Sequence, residues 1–155
     1  MAKAVSNTSP LIYLHRVGVL GWLPKLFDEI WISKAVESEL EEGRRRGYPW
    51  LRDIEPRTVP SEWLTLDLGS GELATMALAL ENPDRIVLLD DSLARRIAKA
   101  AGIKVWGTLK ILLEAKNQGL TASIGPLVEK LKDAGMWMSD DIRRRVLILA
   151  GEGEE

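Results

Sequence analysis

The stretch Ile86-Val87-Leu88-Leu89-Asp90-Asp91 decides how the rest of the chain folds. Residues 86–89 are four consecutive apolar residues that begin with two β-branched side chains, and the turn-forming sequence Asn82-Pro83-Asp84 lies upstream. Such a run is typical of a central strand of a parallel sheet that is buried on both faces. Because ligands of open α/β sheets bind outside the carboxyl ends of the strands, the two acids that follow mark a candidate site.

Strands and helices alternate on both sides of this central strand. Lys3–Ser6 predicts a first strand, after which Ser9 caps a helix and Pro10 occupies its first turn. The other predicted elements are strand Glu29–Ile32, a helix from Ser33 to about Arg46, an edge strand at Ile54–Val59, helix Leu68–Leu80 capped by Ser70, helix Ser92–Ala101, strand Ile103–Trp106 and helices Thr108–Gln118, Pro126–Ala134 and from Ser139 through Leu149. The alternation predicts an α/β fold with a parallel sheet and helices on both faces.

Length and composition suit one domain. The chain has 155 residues and is 46% hydrophobic, which is enough for an ordinary core, so we expect a single domain over residues 1–150 and a frayed tail at 151–155. No apolar stretch approaches the roughly 18 residues that span a bilayer, and the first six residues lack the long apolar region that is typical of a signal peptide. These features predict a cytoplasmic protein without a membrane partner.

Charge and cysteine content narrow the chemistry. The absence of cysteine excludes disulfides, thiolate nucleophiles and Cys-ligated metals. A net charge of −2 gives no global attraction for nucleic acid, so such a partner would need a local basic patch or a metal ion.

Several polar side chains fall at positions where an apolar residue or a strand end is expected. They are Asn7 at the end of the first strand, Glu39 on the apolar face of its helix, Glu72 in the first turn of an apolar helix, and Asp90 with Asp91. Carboxylates are rarely buried unless they are paired, protonated or bound to a cation. Oxygen ligands without His or Cys favour Mg²⁺ or Mn²⁺ over zinc, and such sites hydrolyse phosphodiesters.

Each polar group also has a purely structural interpretation. Glu72 suits a helix N-terminus on dipole grounds alone, Glu39 could pair with an arginine, and Asp91 could cap the following helix. The basic residues Arg95, Arg96 and Lys99 usually form a solvated face, but they follow Asp90 closely enough to hold a phosphate. We assign these three residues and Ser9 to phosphate or RNA binding.

Five segments resemble the successive motifs of PIN-domain proteins and, more closely, a PIN-like family related to the VapC-type toxins. These segments are Val5–Ile12, Ala35–Leu40, Leu68–Ala74, Leu89–Ala98 and Gly102–Thr108. The resemblance implies a three-layer α/β/α fold and a metal-dependent nuclease that cleaves RNA as a homodimer. If the protein is a toxin, the resemblance also implies an antitoxin protein as its partner.

The resemblance also assigns roles by motif. The family's first acid falls on Asn7, the second on Glu39, the third on Glu72 and the fourth on Asp90, with Asp91 adjacent. Glu39, Glu72 and Asp90 would then be the catalytic acids, and all five residues would be ligands of Mg²⁺ or Mn²⁺. Asn7 departs from the usual aspartate.

Three functions therefore compete. The first is a metal-dependent endoribonuclease and the second is a PIN-fold module that binds RNA or a protein without catalysis. The third is a phosphoryl-transfer or receiver-like protein that uses Asp90, which is disfavoured because Asn7 stands where a nucleophilic aspartate is needed.

Overall fold

One parallel sheet forms the centre of the protein in the computed structural model, which describes residues 2–40 and 48–153. The sheet order is β3-β2-β1-β4-β5. Its strands are β1 (Ala2–Ser6), β2 (Phe27–Ile32), β3 (Leu51–Asp53), β4 (Arg85–Leu88) and β5 (Lys104–Trp106). The chain builds one half of the sheet outward from β1 and then crosses over to β4. The carboxyl ends of β1 and β4 therefore flank the topological switch point, where open α/β sheets bind their ligands.

Helices cover both faces of the sheet. They are α1 (Thr8–Arg16), α2 (Leu23–Leu26), α3 (Lys34–Glu39), α4 (Ser70–Glu81), α5 (Ser92–Ala100), α6 (Thr108–Asn117), α7 (Gly125–Asp133) and α8 (Asp140–Leu149), and two short 3-10 turns lie at Leu20–Trp22 and Ser61–Trp63. The predicted three-layer α/β/α fold is confirmed.

The two central strands divide their side chains between two cores. Ala4, Ile86 and Leu88 point into a core formed with α1, α2, α6 and α7. Val5, Val87 and Leu89 point into the opposite core, formed with α4 and α5. Successive strand residues face opposite sides of a sheet, so both faces of β1 and β4 are covered. This burial is why the 86–89 run is apolar without alternation.

The edge strand lies a few residues earlier in the chain than the sequence predicted. β3 occupies Leu51–Asp53, and of the predicted strand Ile54–Val59 only Ile54 still pairs, through its N–H and the Ile32 carbonyl oxygen at 2.9 Å. Leu51 is buried and anchors the strand, whereas Pro56 has no N–H to continue the ladder.

Two predicted helix caps, Ser9 and Ser70, differ from the structure. Ser33, where the sequence predicted the start of a helix, caps α3, since its Oγ accepts a hydrogen bond from Val36 N–H at 3.2 Å. Ser9 and Ser70 instead lie inside α1 and α4, which begin after Asn7 and Gly69. The predicted continuation of the α3 helix to Arg46 falls on residues 41–47, outside the described residues.

The C-terminal segment is anchored through Glu152, a residue that we predicted to lie in a frayed tail. Its carboxylate accepts hydrogen bonds from Ile124 N–H and Gly125 N–H at the start of α7, both at 2.9 Å, and pairs with Lys116 Nζ at 2.9 Å. The segment is therefore tied to α6 and α7, and residues 154–155 lie outside the described part of the chain. Among the described helices, each is too short or too polar to cross a membrane.

Candidate active site

Asn7 and Asp90 lie at the carboxyl ends of neighbouring strands. Ser6 is opposite Leu88 in the β1–β4 register, and Asn7 N–H donates to the Leu88 carbonyl oxygen at 3.0 Å. Asn7 is buried at the start of α1, and its side chain does not cap that helix. Its amide oxygen is therefore free of the usual capping role, and the predicted edge of the sheet carries polar side chains from both central strands.

Glu39 reaches the same edge from the end of α3. Its Oε2 accepts a hydrogen bond from Thr8 Oγ1 at 2.7 Å. Gly71, in the first turn of α4, leaves the space into which two oxygens project: a Cβ atom there would lie 2.8 Å from Glu39 Oε1 and 3.2 Å from Asn7 Oδ1. The absence of a side chain at Gly71 thus lets the amide oxygen of Asn7 and the carboxylate of Glu39 approach one point.

Asp90 is held by the residue that begins α6. Thr108 donates its backbone N–H to Asp90 Oδ1 and its hydroxyl to Asp90 Oδ2, each at 2.7 Å. Burial raises the pKa of Asp90, although the two hydrogen bonds from Thr108 and the positive charge of Arg95 act in the opposite direction. The carboxylate is thus oriented on both oxygens, while its negative charge remains costly.

Asp91 has the capping role that its structural interpretation predicted, and Glu72, predicted as a helix N-terminal acid, also accepts a backbone hydrogen bond at the start of its helix. Gly69 N–H donates to Glu72 Oε1 at 2.9 Å, and Ala94 N–H donates to Asp91 Oδ2 at 2.9 Å. Burial raises the pKa of Glu72 against the Gly69 hydrogen bond, and the negative charges of Asp91, Glu39 and Asp67 raise it further. Burial and the neighbouring negative charges therefore disfavour the ionisation of Glu72.

A groove of about 790 Å³ opens beside these acids. Ser9, Glu72, Asp90, Asp91 and Arg95 line it, so it joins five of the predicted residues. Arg96 and Lys99 are exposed and do not line the groove. Of the basic residues assigned to phosphate binding, the structure therefore brings Arg95 alone to the acids.

Arg95 lies close to Asp90. A Cβ atom on Gly107 would be 3.2 Å from Asp90 Oδ1 and 3.5 Å from Arg95 Nη1, so both groups border the same small residue. Arg95 Nε is buried and has no hydrogen-bond partner among the described residues. The guanidinium retains a donor for which an additional acceptor is needed.

The oxygen donors suit a hard divalent cation in chemistry but are not gathered into one cluster. Within residues 2–40 and 48–153, no three His, Cys, Asp or Glu side chains are close enough together to hold a metal ion. The acids instead have their own protein donors, and the opening around Gly71 is bordered by one carboxylate and one amide. Oxygen-only donors of this kind fit Mg²⁺ or Mn²⁺ rather than zinc.

Four residues that position these groups escaped the sequence analysis: Thr8, Gly71, Gly107 and Thr108. Thr8 and Thr108 are the second residues after β1 and β5 at this edge, where a hydroxyl can reach a neighbouring acid. The glycines act by close approach, which depends on partners distant in sequence. The position of the two threonines shortly after a predicted strand could have indicated their role. No feature of the sequence indicated the role of the two glycines.

A doubly wound α/β/α sheet with acids at its switch point defines a class of proteins whose site faces the carboxyl ends of β1 and β4. A family model described as a PIN domain matches residues 3–152. The chain belongs to the PIN-domain family, which confirms the resemblance seen in its motifs. No curated protein matches the chain.

Proposed function

We propose that this chain is a Mg²⁺- or Mn²⁺-dependent endoribonuclease that cleaves phosphodiester bonds of RNA. The observation that carries the proposal is the approach of Asn7 Oδ1 and Glu39 Oε1 to one point at Gly71, beside the groove that holds Glu72, Asp90 and Asp91. A nuclease of the PIN family would need oxygen ligands at this edge, and the candidate donors follow β1 and β4, end α3 and lie in the first turn of α4.

The charges at this edge support a cation. The pKa values of Asp90 and Glu72 are both raised, so each carboxylate ionises at a cost that a bound cation would offset. Glu39, Glu72 and Asp90 are not gathered into one cluster among the described residues, so their side chains would have to turn toward one another to hold the cation, with Asn7 contributing a neutral oxygen and Asp91 a further carboxylate. The cation would activate water and stabilise the leaving oxygen.

The chain's own residues would orient the RNA. Arg95 is the cation of the groove that lies next to Asp90, so it would bind the phosphate on one side of the scissile bond. Thr108 and Thr8 would fix the orientations of Asp90 and Glu39 through their hydroxyls. Holding the acids in a fixed orientation would increase the rate, because the reacting groups are then already in the productive geometry.

Three further parts of the proposal rest on the family and the sequence pattern. We propose a homodimer, a cytoplasmic location and, if the protein is a toxin, an antitoxin protein as its partner.

A second function, RNA or protein binding without catalysis, is favoured by one specific observation. Both oxygens of Asp90 already accept hydrogen bonds from Thr108, and Asn7 brings no charge to the ligand set. A site satisfied in this way has less need of a cation, and the fold would then serve as a recognition module.

The test is cleavage of a mixed single-stranded RNA pool with Mn²⁺, Mg²⁺ or EDTA. We expect weak cleavage that requires the metal and disappears in Asp90→Asn, which retains the shape of the side chain. Chromatographic fractions should carry activity in proportion to the protein. Equal cleavage by the natural chain and Asp90→Asn would reject the proposed site, and RNA binding without cleavage would favour the recognition module.

A further inference from the structure

We infer that Trp137 is a stacking platform for one base of a single-stranded RNA whose phosphate lies at Arg95. This inference rests on the proposed function and assigns a residue that positions the substrate. Trp137 is 83% exposed and lines the same groove as Asp90 and Arg95. The groove thus has an aromatic face at one part and charged groups at another.

The loop that carries Trp137 is fixed at its beginning. Gly135 has φ +105°, a conformation that suits glycine, and its N–H donates to Lys132 O at 3.0 Å while Met136 N–H donates to Leu131 O at 2.9 Å. Arg16 Nη1 adds a hydrogen bond to Ala134 O at 3.0 Å. These contacts tie the end of α7 to itself and to α1.

The loop is also fixed at its end. Met138 is buried in the core with α1 and α6, and Ser139 Oγ accepts from Ile142 N–H at 3.1 Å to cap α8. Trp137 is therefore exposed between two anchored positions. An indole that is exposed on a backbone held at both ends can receive a base with little loss of conformational freedom.

The groove matches a nucleotide better than a purely apolar ligand. A nucleotide combines a flat base with an anionic phosphate, and the lining offers the indole of Trp137 together with the cations Arg95 and Lys110, although Glu72, Asp90 and Asp91 also line the groove. Its volume of about 790 Å³ lies in the range of small-molecule sites and accommodates more than a single base. Stacking on an aromatic face tolerates all bases, so Trp137 would add affinity without strict sequence preference.

The experiment measures RNA binding separately from cleavage. Short single-stranded RNAs that carry 2-aminopurine, or an abasic nucleotide scanned along the strand, are titrated in EDTA against the natural chain, Trp137→Ala and Trp137→Phe. We expect Trp137→Ala to weaken binding roughly tenfold and to remove the quenching of one 2-aminopurine position, since the variant loses the stacking of one base. Trp137→Phe should retain most of both.

The abasic scan supplies the decisive comparison. In the natural chain one abasic position should weaken binding about as much as Trp137→Ala does, and the same abasic RNA should lose nothing further in Trp137→Ala. Leu64→Ala, which shortens another apolar side chain that is 63% exposed and lies away from the groove, should bind like the natural chain.

The failures of the two proposals are distinguishable. If the natural chain binds and cleaves RNA while Trp137→Ala does so equally well, the stacking inference is wrong and the proposed function stands. If sedimentation shows that Trp137→Ala changes the oligomeric state and leaves RNA affinity unchanged, the indole belongs to a protein interface and the inference is overturned. If the natural chain neither binds RNA in EDTA nor cleaves it with Mn²⁺, both proposals fail, whereas cleavage with Mn²⁺ but no binding in EDTA would overturn the stacking inference alone.

Discussion

Thr108 holds Asp90 by both carboxylate oxygens, with its backbone N–H on Oδ1 and its hydroxyl on Oδ2 at 2.7 Å each. This pairing joins the carboxyl end of β4 to the first residue of α6, two elements that α5 and β5 separate in the chain. The donors orient the acid and lower its pKa, while burial raises it. The protonation of Asp90 therefore depends on the balance between the two effects.

Replacing Thr108 with valine should shift that balance. Thr108→Val keeps the backbone donor and removes the hydroxyl, so the pKa of Asp90 should rise further and the acid limb of the cleavage profile should move to higher pH. We also expect a stability loss of about 1 kcal/mol. Carboxyl NMR titration measures the pKa directly, and Thr65→Val, at an exposed turn, is the control. An unchanged Asp90 titration would contradict the role of the hydroxyl.

Gly71→Ala tests the opening between Asn7 and Glu39. The new Cβ would meet Glu39 Oε1, the flexible end of a side chain, at 2.8 Å, so the carboxylate can move aside at little cost in stability. Its displacement should still weaken Mn²⁺ binding and lower cleavage at least several-fold, because a misplaced group near the chemistry is costly. Gly21→Ala, where the Cβ meets no atom within 4 Å, is the matched control. Equal Mn²⁺ affinity in Gly71→Ala and the natural chain would argue against a cation there.

The sequence was sufficient for the two central strands of the sheet and for the placement of Asn7 and Asp90 after them. The apolar run of β4 is buried on both faces, and Asn7 and Asp90 follow neighbouring strands, because strand burial and the end of a strand are both written in local sequence. The sequence pattern predicted that the helix with Glu72 begins at Leu68, and in the structure this helix begins two residues later, at Ser70.

Tertiary contacts determined what the sequence could not supply. β3 begins at Leu51 because that side chain is buried beside β2, a contact that the pattern of Ile54–Val59 does not reveal. Glu152 looked like part of a polar tail, yet it caps the start of α7 from a distance of 27 residues. The hydrogen-bond donors to Glu39 and Asp90 likewise come from other helices. The local sequence therefore could not predict that these carboxylates have protein hydrogen-bond partners.

Glu152→Gln should destabilise the C-terminal anchor. Burial alone would raise the pKa of Glu152, but the Ile124 N–H, Lys116 and Gly125 N–H together lower it below its usual 4.5. A lowered pKa in the folded state gives stability that is present above the unfolded value and is lost as pH falls through the folded one. We expect a loss of about 1–3 kcal/mol at neutral pH for charge-assisted hydrogen bonds, which should shrink in acid when measured by urea unfolding. A constant difference across pH would contradict the charged anchor.

Glu72→Gln should have the opposite effect on stability. The raised pKa of Glu72 means that the folded state binds its proton more tightly than the unfolded state, so stability falls as pH rises from 4.5 through the folded value. Gln retains the oxygen that accepts from Gly69 N–H and removes the repelled charge. Tm at neutral pH without metal should rise by roughly 1–3 °C, since about 1 kcal/mol corresponds to about 2–4 °C at this length. Glu62→Gln, an exposed acid, is the control.

The Tm gain of Glu72→Gln should disappear below the pKa that Glu72 has in the unfolded chain. At such pH the carboxyl group of the natural chain is protonated and, like the glutamine of the variant, carries no charge. If Glu72 is a ligand, the same variant should also show a smaller Mn²⁺-induced rise in Tm, because preferential binding to the folded state is reduced. A variant that is less stable than the natural chain at neutral pH would show that the carboxylate contributes net stability, against this expectation.

Asn7→Asp separates a working nuclease from a recognition module. The side chain of Asn7 is buried and its oxygen faces Glu39 across the opening at Gly71, so an aspartate there places a second negative charge beside the first. Without metal the variant should lose about 1 kcal/mol or more, because a buried charge without a partner is costly. If the site binds a cation, Mn²⁺ should restore that loss and raise Tm more than in the natural chain, and cleavage should increase.

Asn7→Ala is the matched control, because it removes the amide oxygen without adding charge and should reduce the Mn²⁺ response. The decisive quantity is the difference in Tm with and without Mn²⁺, compared across the three proteins and paired with RNA cleavage. If the protein is a nuclease, both the Mn²⁺-induced rise in Tm and the cleavage of RNA should be largest in Asn7→Asp, intermediate in the natural chain and smallest in Asn7→Ala. A recognition module gives an Asp variant that is destabilised at every Mn²⁺ concentration and inactive, because the added charge then repels Glu39 with no cation between them.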